Sequence, residues 1–265
     1  MDIEDFFQTA LNDDTGVLTI TLSRGDDKKN QLSIAMVDAL RSILQPELTQ
    51  PTCKGLILAS AKEKVFSTGA DIEADLRHLS PEEAAGYSRE GCKVFGMLTK
   101  LPCPTVAALS GFTLGGGLEL ALCCDFRVAT KGARLGLPEI NLGVMPGWGG
   151  TQRLQRLIGR SRALRIILSG APVNAAAALD WGLVDEVVDT YQQLLPAAEK
   201  ILAQFTGKSP RAVAMAKRAV YEGGDMDLVA ALNHESDLFR LAWSTADRQE
   251  GISAFLEKRR PIWPD

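Results

Sequence analysis

The stretch "LSGFTLGGGLELALCCD" (residues 109–125) runs from the end of an apolar segment, through a glycine cluster, into a helical pattern that carries a single glutamate. Ser110 and the Thr113 hydroxyl apart, Glu119 is its only strongly polar side chain before Asp125. If Gly116 to Cys124 is a helix, the residues three and four positions away from Glu119 are Gly115, Gly116, Leu122 and Cys123. No lysine or arginine lies within a turn of it. An ionised carboxylate in apolar surroundings is costly, and burial pushes its pKa upward. Either something compensates Glu119 or its discomfort is put to use.

Working outward, "PTVAALSG" (104–111) reads as a buried strand feeding the glycine cluster, and "DFRVAT" (125–130) as the strand that follows. "GVLTITLSR" (16–24) alternates like a strand, "SIAMVDALRSIL" (33–44) has helical periodicity behind a Ser33 cap, and "KGLILAS" (54–60) suits a buried strand. "SPEEAAGYSREGCKVFGMLTKL" (80–101) opens with Ser80, Pro81 and two glutamates, a strong helix start. Strand and helix alternate, which predicts an α/β core of parallel strands covered on both faces. After about residue 145 helical patterns dominate, over 149–158, 161–168, 174–181, 190–206, 209–222, 226–243 and 246–258, with "LVDEVV" (183–188) as one late strand. The division expected is a core over 1–200 and a helical region over 201–265.

Composition excludes several classes. The 265 residues are 46% hydrophobic and 23% charged, with a net charge of −4, an ordinary globular balance with no basic footprint for nucleic acid. The one basic knot, "EKRR" (257–260), suits a solvated helix end. Cys53, Cys92, Cys103, Cys123 and Cys124 show no CxxC spacing and read as free thiols of a reducing compartment. Neither His78 nor His234 has a partner at metal-ligand spacing, so no metal is expected. "MDIEDFFQTALNDD" lacks the arginines and apolar run of a targeting segment, and Glu119 with the glycines argues against a membrane span at 106–124. A cytoplasmic location is the expectation.

"GGGLEL" and "GWGGTQ" are not GxGxxG, "GKS" (207–209) lacks the glycine of a P-loop, and no GxSxG occurs. Three features remain. In "FSTGADI" (66–72) a turn leaves backbone N–H groups free, and in "GGGLEL" a helix starts inside glycines with unpartnered N–H groups at its positive end. Such donors could hold an oxyanion. In "LGLPEINLGVMPGWGGTQRL" (135–154) a second acid, Glu139, sits among apolar residues behind Pro138. Two glutamates beside oxyanion donors suit proton transfer next to a carbonyl. The plainer reading is glycines for tight packing and glutamates satisfied by backbone N–H groups.

These motifs, in this order along nearly the whole chain with "GLVDEVV" and "GISAFLEKRR" (251–260), resemble the crotonase superfamily and within it look like an enoyl-CoA hydratase. The resemblance implies a spiral of repeated β-β-α turns with C-terminal helices that build a trimer, two trimers commonly stacking as a hexamer. It implies a substrate that carries coenzyme A and no separate cofactor. The backbone N–H groups of Ala70 and Gly116 would form the oxyanion hole. Glu119 would deprotonate the water that adds to the β-carbon, and Glu139 would protonate the α-carbon. Gly69, Asp71, Ile72 and Gly115 would shape the substrate site, and Trp148 would shorten the acyl pocket or serve as ordinary core. Lys28 and Lys29 would meet the nucleotide phosphates or form a solvated turn, and Phe255 and Lys258 would reach coenzyme A in a neighbouring subunit. Two departures stand out: Glu73 where many hydratases carry lysine, and Asn30-Gln31-Leu32 where many relatives read Asn-Ala-Leu. The rivals on the same fold are an isomerase, which needs one of the two acids, and a hydratase of dienoyl, cyclic or aromatic thioesters. An RNA-binding relative needs a basic stripe that this acidic chain lacks. A Clp-type serine protease needs a nucleophile motif that is also missing.

Overall fold

The computed structural model describes residues 3–25, 27–49 and 52–264. Among these residues ten strands form two sheets: β1 (Phe7–Asn12), β2 (Val17–Leu22), β3 (Gly55–Ser60), β4 (Val65–Ser67), β5 (Thr105–Leu109), β6 (Phe112–Leu114), β7 (Phe126–Thr130), β8 (Arg134–Gly136), β9 (Val173–Asn174) and β10 (Glu186–Val188). The larger sheet has the order β1-β2-β3-β5-β7-β10 and the smaller one β4-β6-β8-β9. The helices are α1 (Ile34–Thr49), α2 (Pro81–Lys100), α3 (Gly116–Ala121), α4 (Gly150–Ile158), α5 (Arg160–Ser169), α6 (Ala175–Asp180), α7 (Leu194–Leu202), α8 (Pro210–Gly223), α9 (Leu228–Trp243) and α10 (Ala246–Leu256).

The chain visits the two sheets in turn. β3 and β4, β5 and β6, β7 and β8 are successive pairs, each placing one strand in the larger sheet and one in the smaller, and α2 and α3 separate the pairs. This is the ββα spiral. From β2 to β10 the larger sheet is parallel, and only β1 joins it antiparallel. β3 is buried at every position, and its apolar run over 56–59 meets a core on each face. Leu56 and Leu58 face the main core with α1 and α2, while Ile57 and Ala59 face a second cluster against Leu194, Ala198 and Leu202 of α7. Fully burying one such leucine or isoleucine stabilises by about 1.5–3 kcal/mol.

Local chemistry sets the helix starts. Ser80 and Glu83 form a reciprocal capping box at α2, with Pro81 in the first turn. Ser33 Oγ accepts the Met36 N–H at 3.3 Å. α8 is fastened to the core by Lys217, whose Nζ donates to Asp125 at 2.8 Å and to the Cys103 carbonyl at 2.9 Å.

Four features differ from the sequence reading. β1 lies within the acidic N-terminus; only Phe7 of its residues is buried, so a well-paired edge strand shows no alternation. α1 runs past residue 44 to Thr49, through Pro46. The helix expected from 190 begins at Leu194 behind a 3-10 turn, Tyr191–Gln193. The late strand shrinks to Glu186–Val188, because the Leu183 and Val184 N–H groups both donate to the Ala178 carbonyl at the end of α6. No helix among the described residues is long and apolar enough to cross a membrane.

Candidate active site

β4, β6 and β8 are parallel neighbours, with Ser67 paired to Thr113 and Leu114 to Gly136. The segments that leave their C-terminal ends therefore emerge side by side, the usual place for a ligand in an open α/β sheet. They are Gly69–Ala70, Gly115–Gly116 and Leu137–Glu139. Glycine is required at two of these positions. Gly69 has φ +94° and a Cβ there would lie 2.9 Å from Gly116 N; Gly115 has φ +53° and a Cβ there would lie 3.1 Å from Glu139 Oε1.

Two backbone donors are left over. Ala70 lies opposite Leu32 in a parallel bridge, in which Leu32 N–H donates to Gly69 O at 2.8 Å and Asp71 N–H to Leu32 O at 3.1 Å. That pattern uses the donors around Ala70 and turns its own N–H the other way. Gly116 is the first residue of α3, where an N–H has no intrahelical acceptor. A Cβ on Gly116 would lie 3.5 Å from Ala70 N, so the two donors are neighbours. Among the described residues, neither has a protein acceptor.

Glu119 sits one turn into α3 with 2% exposure. Its Oε1 accepts the Trp148 N–H at 2.7 Å and the Gly150 N–H at 2.8 Å. Burial pushes its pKa from 4.5 up to about 7; the Gly150 N–H opposes this, the Glu139 charge adds to it, and the Trp148 N–H again opposes it. Glu139 occupies a 3-10 turn, Pro138–Leu142. Burial raises its pKa as well, against a smaller pull from its own N–H, and its Oε2 is buried without a hydrogen-bond partner among the described residues.

The donors that hold Glu119 are themselves held by α2. Ser88 Oγ donates to Gly147 O at 2.5 Å, Cys92 Sγ to the same carbonyl at 3.4 Å, and Trp148 Nε1 to Tyr87 O at 3.3 Å. The Trp148 ring is 5.0 Å from that of Tyr87 and 5.1 Å, edge-on, from that of Phe95. It fits only because Gly91 and Gly116 have no side chains: Cβ atoms there would come within 2.1 Å and 2.5 Å of it.

The profile of the family described as "Enoyl-CoA hydratase/isomerase" matches residues 12–265. The chain belongs to the enoyl-CoA hydratase/isomerase family. It is 43% identical over 210 residues to the crotonyl-CoA hydratase of Syntrophomonas wolfei, covering 79% of this chain and 80% of that one. It is 40% identical over 205 residues to the short-chain-enoyl-CoA hydratase of Clostridium acetobutylicum, covering 77% and 78%. The crystal structure of an enoyl-CoA hydratase from Bacillus anthracis superposes with a TM-score of 0.89 at 36% identity, over 97% of this chain and 98% of that one.

The residues picked out from the sequence fall into four groups in this family member. Gly69, Ala70, Gly115, Gly116, Glu119, Glu139 and Trp148 come together as described, and Ile72 stands half exposed at the start of the turn after Asp71. Asp71 is spent locally: its carboxylate accepts from Arg24 Nη1 at 2.8 Å and caps the Ala74 N–H at 3.2 Å, which fixes the Gly69–Ala70 backbone. Lys28 and Lys29 are exposed in a turn beside the site, with the Lys29 carbonyl accepting the Thr68 N–H at 3.1 Å. Phe255 and Lys258 stand apart, exposed at the end of α10. Two residues went unassigned in the sequence. Asn30, at φ +48° and fully buried, donates from Nδ2 to Ser60 Oγ at 2.9 Å and to Phe66 O at 3.1 Å, and accepts from Lys62 Nζ at 2.6 Å. Its carbonyl accepts Ser67 Oγ at 2.7 Å, and Ser67 Oγ in turn accepts the Gly69 N–H at 3.1 Å. The departure from Asn-Ala-Leu pointed at this place without showing its role.

Proposed function

We propose that this protein is an enoyl-CoA hydratase that adds water reversibly to a trans-2-enoyl-CoA thioester to give the 3-hydroxyacyl-CoA. The observation that carries the reading is the Glu119–Glu139 pair: two buried carboxyls with raised pKa, one held by two N–H donors and one with a free oxygen, beside the unused N–H groups of Ala70 and Gly116. The thioester carbonyl accepts from Ala70 and Gly116 N–H, which stabilise the enolate charge as it develops. Glu119, fixed as an acceptor by Trp148 and Gly150, takes a proton from water as its oxygen bonds to C3. Glu139 gives a proton to C2, and the next water returns the pair to its starting state. The reaction consumes only water and thioester, so the reading calls for no further cofactor and no metal.

A short acyl chain fits best, because the Trp148 ring stands against the Gly116 donor and because the relatives quoted act, by their names, on crotonyl and short-chain thioesters. We place the core over 1–200 and give 201–265 to assembly in a trimer or hexamer, the reaction running in the cytoplasm. Val220 (75% exposed), Leu228 (73%), Val229 (71%) and Phe255 (81%) support assembly, since so much exposed apolar side chain on α8–α10 suits a subunit contact. In that arrangement Phe255 and Lys258 serve a neighbour's coenzyme A, and Lys28 and Lys29 meet its phosphates. The test is the ultraviolet absorbance of crotonyl-CoA with the wild type and with Glu139→Gln. The conjugated band is lost with the wild type, and about 10²–10⁴-fold more slowly with the variant, a barrier of roughly 3–5 kcal/mol. No loss with the wild type, or equal rates, refutes the reading.

A further inference from the structure

We infer that Cys53 and Cys103 form an oxidisable dithiol that a small hydroperoxide closes to a reversible disulfide. The Sγ atoms lie 3.4 Å apart, and all five cysteines are free. The architecture produces this pairing: Cys53 precedes β3 and Cys103 precedes β5, neighbouring parallel strands entered from the same end, with Leu56 paired to Thr105 and Leu56 N–H donating to Pro104 O at 2.9 Å. A disulfide needs an S–S separation of about 2.05 Å, a small further approach for two side chains already in contact.

The two thiols are unlike each other. Either sulfur can donate across the 3.4 Å contact; that contact and the Lys217 ammonium, whose Nζ donates to the Cys103 carbonyl at 2.9 Å, favour the Cys103 thiolate against its burial. Cys53 has its own N–H on Glu47 Oε2 at 3.1 Å, and its thiol is pushed up by the Cys103 contact, by burial and by the Glu47 carboxylate. With the Lys217 ammonium beside Cys103 and the Glu47 carboxylate beside Cys53, Cys103 is assigned as the attacking sulfur and Cys53 as the resolving one. Access comes through a surface cavity of about 160 Å³ lined by Cys53, Cys103, Pro102, Pro104, Phe205 and Arg211, ample for a peroxide. None of these is among the residues of the Glu119 site. By contrast Cys123 and Cys124 are fully buried with pKa pushed up to about 12 and stand away from this cavity.

The chemistry balances. The Cys103 thiolate attacks one peroxide oxygen, the O–O bond breaks, hydroxide leaves, and a sulfenic acid forms. Cys53 then attacks that sulfur, the S–O bond breaks, and its thiol proton leaves with the hydroxyl as water. The two sulfurs together lose two electrons, and hydrogen peroxide is reduced to two waters, the hydroxide taking up the proton that Cys103 released on ionising. Thiol reductants reverse the step by exchange.

The test treats the intact protein with hydrogen peroxide, then denatures it with an alkylating reagent present and digests it without reduction for mass spectrometry. The expected products are one linked peptide joining Cys53 to Cys103 and alkylation confined to Cys92, Cys123 and Cys124, all reverted by dithiothreitol. Cys53→Ser leaves Cys103 as a sulfenic acid captured by dimedone, whereas Cys103→Ser leaves Cys53 unoxidised. Alkylation of both Cys53 and Cys103 at a peroxide dose that oxidises Cys92 overturns the inference. So does a linked peptide that pairs other cysteines or that forms only after unfolding; both readouts use the wild-type chain and do not depend on a variant's folding.

Discussion

Replacing Glu119 by glutamine is expected to abolish hydration and yet to make the protein more stable, by an amount that depends on pH. In the folded chain burial moves the Glu119 pKa from 4.5 to about 7. Between those values the folded state binds a proton that the unfolded state has lost, so stability falls as pH rises through this window and is lowest above it. At about 1.36 kcal/mol per pH unit the displacement is on the order of 3 kcal/mol, fully felt near pH 8 and absent near pH 4. Glutamine cannot ionise, and its amide oxygen can still accept from Trp148 and Gly150 N–H, so the variant escapes the penalty. For a chain of this size the gain corresponds to a Tm about 6–12 °C above wild type near pH 8, shrinking towards zero near pH 4. The assay is thermal unfolding of both proteins across that pH range, with crotonyl-CoA turnover alongside. A variant destabilised by the same amount at every pH refutes the reasoning, because it would mean that the two N–H bonds to an anion outweigh the cost of burying it.

Three further outcomes follow from the same geometry. Gly91→Ala ordinarily favours a helix by about 1 kcal/mol, but here the new methyl meets the Trp148 ring; loss of both stability and turnover is expected, and a stabilised, fully active variant by denaturant titration and kcat would overturn the account of the ring's seat. Asn30→Ala strips the partners of Ser60, Phe66 and Lys62 and keeps a positive φ without the bonds that hold it; chemical denaturation should show a loss of about 2–4 kcal/mol, with Asn30→Gly recovering only the backbone part. Because Glu119 must be ionised to take a proton from water, kcat/KM should fall on the acid side below about pH 7, where Glu119 becomes protonated, and on the alkaline side only where Glu139, whose carboxyl pKa burial also raises, loses the proton it delivers. A profile flat across that range would place the titration elsewhere.

Much of this was legible in the sequence where burial is two-sided. β3 and β5 are buried at every position because α7 covers one face and the main core the other, so their apolar runs over 56–59 and 106–109 announce parallel strands. Ser80, Pro81 and Glu83 announce α2 because capping is a local matter. Glu119 announced itself by the absence of local partners. The smaller sheet was not legible: β4, β6 and β8 are three residues each, shorter than any period can register, and their order depends on the spiral. The partners of Glu119 were equally hidden. They are backbone N–H groups 29 and 31 residues away, and a main-chain donor leaves no mark in a side-chain pattern.

That last point bears on how the acid is tuned. The donors on Glu119 come from Trp148 and Gly150, and the loop that presents them is gripped by Tyr87, Ser88, Gly91, Cys92 and Phe95. These five fall on one face of α2, at the three- and four-residue spacing that brings side chains together on a helix. If the grip slackens, Glu119 keeps its burial and loses its donors, so its pKa rises further and less of it is ionised to activate water. Substitutions along this stripe thus act on the base through the backbone of a loop, without touching the carboxylate. A glutamate in an apolar helix is serviceable only while that grip holds, which makes α2, rather than α3 alone, the element that sets its reactivity.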